Sequence, residues 1–335
     1  MPAGTITFSV FTKPWKMELP ALAQHVAELG FRAVELPVRS GYPVNPGNVA
    51  TELPEAARIL GEHGVRIASI AGPTDETAIA ACAAAGVPVI RICAAIDGKM
   101  DYLSAEARLQ REFDDLVPLL EKHGVTLGVQ NHCDRFVANA RGLLHLIGKY
   151  DVKQVAAVWD ACHNALSGED PDLALDIIFP RLCMVNLKNA FWRRANGPEA
   201  LHARWRPYWT SGRQGLASWP RVAEELLKRE YAGVVCLTAE FSDEPSVDRL
   251  IAEDLAFAMS LFGEAAAPPQ ETQVAVEAAP ESEPAAATPD SEASPQAEAG
   301  ATPAAEDSEA GAQTKAEPAP AAETQGQPEG PAASP

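Results

Sequence analysis

Glu28-Leu29-Gly30-Phe31, Glu62-His63-Gly64-Val65 and Lys122-His123-Gly124-Val125 repeat one local plan three times. A stretch with helical spacing of apolar residues runs into a glycine, and an apolar run follows. Glycine takes the left-handed backbone that closes a helix without a Cβ penalty, so each tetrapeptide reads as helix, turn, strand. Extended outward, the plan covers most of the chain. Short apolar runs stand at 6–11, 33–36, 66–71, 89–93, 126–131, 156–160, 183–187 and 234–239. Amphipathic stretches alternate with them at 19–29, 53–63, 76–84, 105–123, 140–148, 172–178, 219–228 and 247–261. Ser104 is the expected N-cap of the fourth, and Gly86 closes the third. Eight strand–helix units predict a (β/α)8 TIM barrel over residues 1–263. A doubly wound open sheet is the alternative, but no G-x-G-x-x-G follows the first strand.

Composition changes abruptly after Gly263. Residues 264–335 contain no aromatic side chain and are rich in Ala, Pro, Glu, Ser, Thr and Gln. Their 14 acidic residues and single lysine carry −13 of the net charge of −19. Such a segment cannot bury enough apolar surface to offset its ordering entropy, so a disordered acidic tail is expected. The chain's acidity argues against nucleic acid as a partner. No apolar run approaches the roughly 20 residues of a membrane span. The N-terminus lacks the regions of a signal peptide, which makes the cytoplasm the expected location. The six cysteines are scattered, with no C-x-x-C pair, and read as small buried side chains in a reducing compartment.

In a barrel of this kind chemistry sits at the C-terminal ends of the strands. Those ends carry Glu35, Arg91, Gln130-Asn131-His132, Trp159-Asp160-Ala161-Cys162-His163, Asn186-Leu187-Lys188-Asn189 and Glu240. A core has no use for such side chains, and burying them unpaired would cost several kcal/mol each, on the order of 2–7. Each also has a structural reading. Asp160 could cap a helix, Asn131 could bond backbone, Lys188 could pair with Glu240 or Asp160, and Arg91 could pair with Glu35. Between residues 191 and 215 aromatics alternate with arginines, as in a lid over a sugar or a subunit interface. Trp15 is a further candidate for the same pocket. His25, His63, His123 and His145 fall in or at the ends of helices and receive no role.

These strand ends resemble the sugar phosphate isomerase/epimerase superfamily, whose barrel is xylose isomerase-like. The resemblance spans roughly residues 5–262. The family's E-x-H or E-N-H on strand five stands here as Gln130-Asn131-His132. Its W-D-x-x-H on strand six is kept as Trp159 to His163, its H-x-K-D on strand seven is Asn186 to Asn189, and its strand-eight Glu is Glu240. The resemblance implies one divalent metal held by residues at positions 130, 160, 186 and 240. It implies proton transfer beside a carbonyl by two flanking glutamates, and a homo-oligomer. Two positions depart from it, because Gln130 and Asn186 replace a Glu and a His. Glutamine is no general base, and neutral amides bind hard cations weakly. Asp160 and Glu240 with two amides would hold Mn²⁺ or Mg²⁺ rather than Zn²⁺. The metal could instead move toward His132 and His163, or be absent.

The expected function is an isomerase or epimerase acting on a small sugar, polyol or sugar-derived keto compound. Glu240 would be the acid/base and Asp160 a metal ligand. His132, His163, Lys188, Gln130, Asn186, Arg91 and Glu35 would hold substrate. A dehydratase, which needs one base and one acid, is the enzymatic alternative; a non-catalytic sugar-binding protein is the other.

Overall fold

The computed structural model describes residues 5–96 and 98–263. The acidic tail expected over 264–335 lies outside the described residues. Among these, eight parallel strands close a barrel. They are β1 (Ile6–Phe11), β2 (Ala33–Pro37), β3 (Arg66–Ala71), β4 (Val89–Cys93), β5 (Thr126–Gln130), β6 (Val155–Asp160), β7 (Leu182–Leu187) and, after a hairpin of β8 (Asn189–Arg194) and β9 (Trp205–Thr210), β10 (Gly233–Leu237). The order around the barrel is β1-β10-β7-β6-β5-β4-β3-β2. Around the strands run α1 (Leu19–Glu28), α2 (Val49–Glu62), α3 (Glu76–Ala84), α4 (Tyr102–His123), α5 (Ala140–Ile147), α6 (Ala161–Leu166), α7 (Pro171–Ile178), α8 (Trp219–Lys228) and α9 (Val247–Phe262). No helix among the described residues is long and apolar enough to cross a membrane.

The glycines that announced the fold do what their position requires. Gly30, Gly64, Gly86 and Gly124 all have φ between +65° and +94°. The expectation differs from the structure at three places. First, α4 begins at Tyr102, not Ala105, because Asp101 caps it. The Asp101 carboxylate accepts from Ser104 N at 3.0 Å and Ser104 Oγ at 2.7 Å, so Ser104 is the donor rather than the cap. Second, the stretch after β7 is no open loop but the β8–β9 hairpin, paired antiparallel from Asn189↔Thr210 to Arg194↔Trp205. Third, Trp15 does not reach the pocket. It is buried beneath α1 and α9, with its ring edge against His25 and its Nε1 donating to Asp248 at 2.8 Å.

Side chains alternate across a strand, so one parity faces the helices and the other fills the barrel. On β6, Ala157 and Trp159 join the large apolar layer under the helices, whereas Val158 packs inside with Phe11, Ala71, Met184 and Cys236. Gly128 keeps that inner layer closed. A Cβ there would stand 2.7 Å from Val158 Cγ2 and 3.0 Å from Val89 Cγ1. Gly128→Ala is therefore expected to cost about 1–3 kcal/mol through overpacking. Urea unfolding reads this directly, and an unchanged midpoint would mean the layer has slack.

Candidate active site

Continued two residues at a time, the inward parity leads from the apolar plug to the polar mouth. Val158 is followed by Asp160, Met184 by Asn186 and Lys188, Cys236 by Thr238 and Glu240, Gly128 by Gln130 and His132, and Phe11 by Lys13. Glu35 of β2 joins the same ring, and a bulge at Ala68 of β3 sets Ser69 opposite it.

Asp160 ends β6 and caps α6. Its Oδ1 accepts from the backbone N–H groups of Cys162 and His163, both at 3.0 Å. Asn131 fastens this junction. It accepts from Asp160 N at 2.7 Å and donates to Asp160 O at 3.1 Å, so it serves the backbone. Burial pushes the Asp160 carboxyl up, while Lys188 and the His163 N–H pull it down.

From Glu35 to Lys13 the side chains form one continuous polar chain. Arg91 grips Glu35 with Nε and Nη2, both at 2.7 Å, and Ser69 Oγ adds a bond of 3.1 Å. The remaining Nη1 donates to Gln130 Oε1 at 2.6 Å, and Gln130 Nε2 donates to Asp160 Oδ2 at 2.8 Å. Arginine only donates and a carboxylate only accepts, so the glutamine amide can face one way only. Lys188 Nζ lies 3.9 Å from Asp160 Oδ2 and donates to Glu240 Oε2 at 2.9 Å. Lys13 donates to Glu240 Oε1. The Trp209 ring, brought in by β9, covers Lys188 at 4.6 Å.

Glu240 follows Ala239, whose φ of +49° is unusual for a residue with a Cβ and turns the chain at the end of β10. Its carboxylate is 22% exposed, open to the mouth. Lys188 and Lys13 hold it well below the usual carboxylate range, against the opposing effect of burial. Below it is a small cavity of about 140 Å³ lined by Arg91, Gln130, His132, Asn186, Lys188 and Thr238, among others. Asn186 Nδ2, Asn186 Oδ1 and Thr238 Oγ1 are buried with no partner among the described residues. On the wall of a cavity, such atoms are free to bond water or the polar groups of a ligand. A wider vestibule of about 620 Å³ adjoins it, with Lys16, Tyr42 and Trp209 in its wall.

The two histidines lie ring to ring, with centroids 3.8 Å apart. Cys133 N donates to His163 Nδ1 at 3.2 Å, which puts the proton of the neutral ring on Nε2. His132 Nδ1 faces Cys133 O at 2.8 Å, leaving Nε2 as an acceptor. Burial lowers both pKa values, that of His163 strongly. Of the residues singled out from the sequence, Arg91, Gln130, His132, Asn186, Lys188 and Glu240 line the cavity, whereas Glu35, Asp160 and His163 are fully buried and absent from its wall, and Trp15 stands apart. Missed were Lys13, Thr238 as a ligand-facing group and Trp209 as the cover of Lys188. The parity rule, extended past the strand ends, would have found the first two.

The sequence matches the family described as xylose isomerase-like TIM barrel over residues 23–261, and the chain belongs to it. No curated protein matches at the sequence level. Among solved structures, the fold is similar to the probable 3-DHS dehydratase AsbF of Bacillus anthracis. The TM-score is 0.60 at 15% identity, covering 75% of this chain and 97% of that one. It is also similar to a D-psicose 3-epimerase (TM-score 0.58, 14% identity, 77% and 99% covered) and to the 3-keto-D-glucoside 4-epimerase YcjR of E. coli (0.59, 13%, 76% and 100%). At such identities the likeness concerns the fold.

The resemblance implied a divalent ion at Asp160 and Glu240, and the residues present there do not fit one. Gln130 gives its oxygen to Arg91 and turns its amide N–H toward Asp160. Lys188 and Lys13 already balance the two carboxylates. A separate group, His132, Cys133 and His163, has ligand atoms within 4.8 Å of one another. There burial pushes the Cys133 thiol up to about 12, so an ion would have to displace that proton.

Proposed function

We propose that this barrel is a sugar-modifying enzyme that moves a proton beside a carbonyl in a small sugar, polyol ketone or sugar-derived keto compound. The observation that carries this reading is the pairing of a solvent-reachable Glu240 carboxylate with the Lys188 ammonium over a cavity walled by unpartnered Asn186 and Thr238. Hydroxyl groups of the substrate bond to Asn186 and Thr238. The carbonyl oxygen takes a hydrogen bond from Lys188, which polarises it and acidifies the neighbouring C–H. Glu240 accepts that proton. Two lysines make it a weak base in the free protein, and a substrate oxygen that draws Lys188 away restores basicity at the moment it is needed. Burial pushes the Lys188 ammonium toward losing its proton, but Glu240 and Asp160 outweigh that and keep it a charged hydrogen-bond donor.

The dehydratase reading remains beside this one for a specific reason. Gln130 cannot be the second carboxylate base, so the site has one carboxylate facing the cavity, with neutral His132 as the group able to exchange a proton from another strand. One base and one acid suffice for loss of water. Epimerase and dehydratase both occur among the names of the similar folds. A panel of ketoses and inososes, followed by NMR, separates the two. An epimer or isomer of unchanged mass supports the first reading, and a product lighter by water supports the second. Saturable binding without any product would reduce the protein to a sugar-binding barrel.

A further inference from the structure

We infer that the Lys188 ammonium stands where the family's divalent ion would stand, so that Asp160 and Glu240 bind no metal and the carbonyl is polarised by a cation built into the chain. The electrophilic role rests on the functional reading above; the claim about metal does not.

Three independent observations meet at this point. The first is position. Lys188 Nζ lies between the strand-six and strand-eight carboxylates, 3.9 Å from Asp160 Oδ2 and 2.9 Å from Glu240 Oε2. It is clamped from above by Trp209 and is only 7% exposed. The second is charge. Asp160 and Glu240 are met by Lys188 and Lys13, and Arg91 is met by Glu35. An added divalent ion would leave uncompensated positive charge in a largely buried mouth, where such charge is costly. The third is the chemistry of the other two positions. Gln130 is locked with its amide N–H toward Asp160, the wrong end for a cation. Asn186 contributes an uncharged amide where an imidazole would bind.

The replacements are mutually consistent. Removing one carboxylate and one imidazole while keeping a lysine in reach converts a cation-binding site into an ion-paired one. An ammonium offers a hydrogen bond and a unit charge to a developing enolate oxygen, in the place of Lewis-acid coordination. Glu240 takes the proton from carbon, the C–H electron pair becomes the C=C bond of an enediolate as the carbonyl pair moves to the oxygen that Lys188 holds, and Glu240, its proton exchanged with solvent at the open mouth, protonates the neighbouring carbon.

Mn²⁺ titration of the full, untagged chain, followed by electron paramagnetic resonance, tests this without any substrate. The wild type is expected to take up no Mn²⁺ that depends on Asp160. Lys188→Met is expected to raise Mn²⁺ affinity at least about tenfold, because the competing charge is gone. Lys188→Met combined with Gln130→Glu and Asn186→His is expected to bind one Mn²⁺ per chain, lost again on adding Asp160→Asn. One Mn²⁺ per wild-type chain, lost in Asp160→Asn, would overturn the proposal whatever the variants do. Binding that survives Asp160→Asn belongs to another site, such as His132, Cys133 and His163, and leaves Asp160 metal-free as proposed. A folded Lys188→Met that gains nothing would also overturn it. Absence of turnover on every substrate would sink the functional reading and leave the metal result standing.

Discussion

Glu35→Ala is expected to destabilise the barrel by about 3–5 kcal/mol, the largest loss for any single substitution at the mouth. Glu35 is fully buried, and Arg91 is 7% exposed. Their two parallel bonds of 2.7 Å neutralise both charges in a place water does not reach. Without Glu35 the guanidinium keeps only Gln130, Cys93 and the face of Phe11 at 4.9 Å. None of these carries a compensating charge, so the cost is that of a stranded buried cation. The loss should shrink when both partners become apolar, because Glu35→Met with Arg91→Met removes the unmatched charge along with the pair. Urea unfolding of the three proteins checks this. A loss below about 1 kcal/mol for Glu35→Ala would mean that Arg91 finds solvent, and that the buried polar chain is not what holds the mouth in shape.

Glu240→Gln is expected to lower turnover by about 10²–10⁴-fold, the range of a lost general base. Stability should change far less than in Glu35→Ala, since Glu240 is open to the mouth and the amide can still accept from Lys188. That split between activity and stability distinguishes a proton-transferring group from a structural one. Lys13→Met supplies the complementary measurement. It removes one of the two cations that depress Glu240, so the acid limb of the pH–rate profile should move to higher pH while turnover persists. Full turnover in Glu240→Gln would remove Glu240 from the mechanism.

The barrel was legible because its signals are local and repeated. A glycine after a helix announces a left-handed turn from sequence alone, and Gly30, Gly64, Gly86 and Gly124 have that backbone. The strand-end residues were legible for a related reason, since apolar strands rarely end in Asp, Glu or Lys without a use for them. What could not be read was which of them pair with one another. Arg91 could reach Glu35 or a substrate, and Lys188 could reach either carboxylate; only three-dimensional distances decide. The hairpin was hidden because Trp192 to Trp209 carries an aromatic–arginine alternation that suits a strand, a lid or an interface equally well. Asp101 was passed over as a cap because Ser104, three residues on, offers the same kind of oxygen. The stronger acceptor took the role, and Ser104 became its donor.

Deuterium exchange reads proton transfer at Glu240 without requiring a net product. The wild-type chain would be incubated in D₂O with each keto sugar that binds, and the recovered sugar weighed by mass spectrometry. Solvent deuterium is expected at one carbon beside the carbonyl, at a rate that Glu240→Gln reduces about 10²–10⁴-fold. A keto sugar that binds at the mouth yet keeps all its carbon-bound protons, in wild type and variant alike, would contradict proton transfer at Glu240.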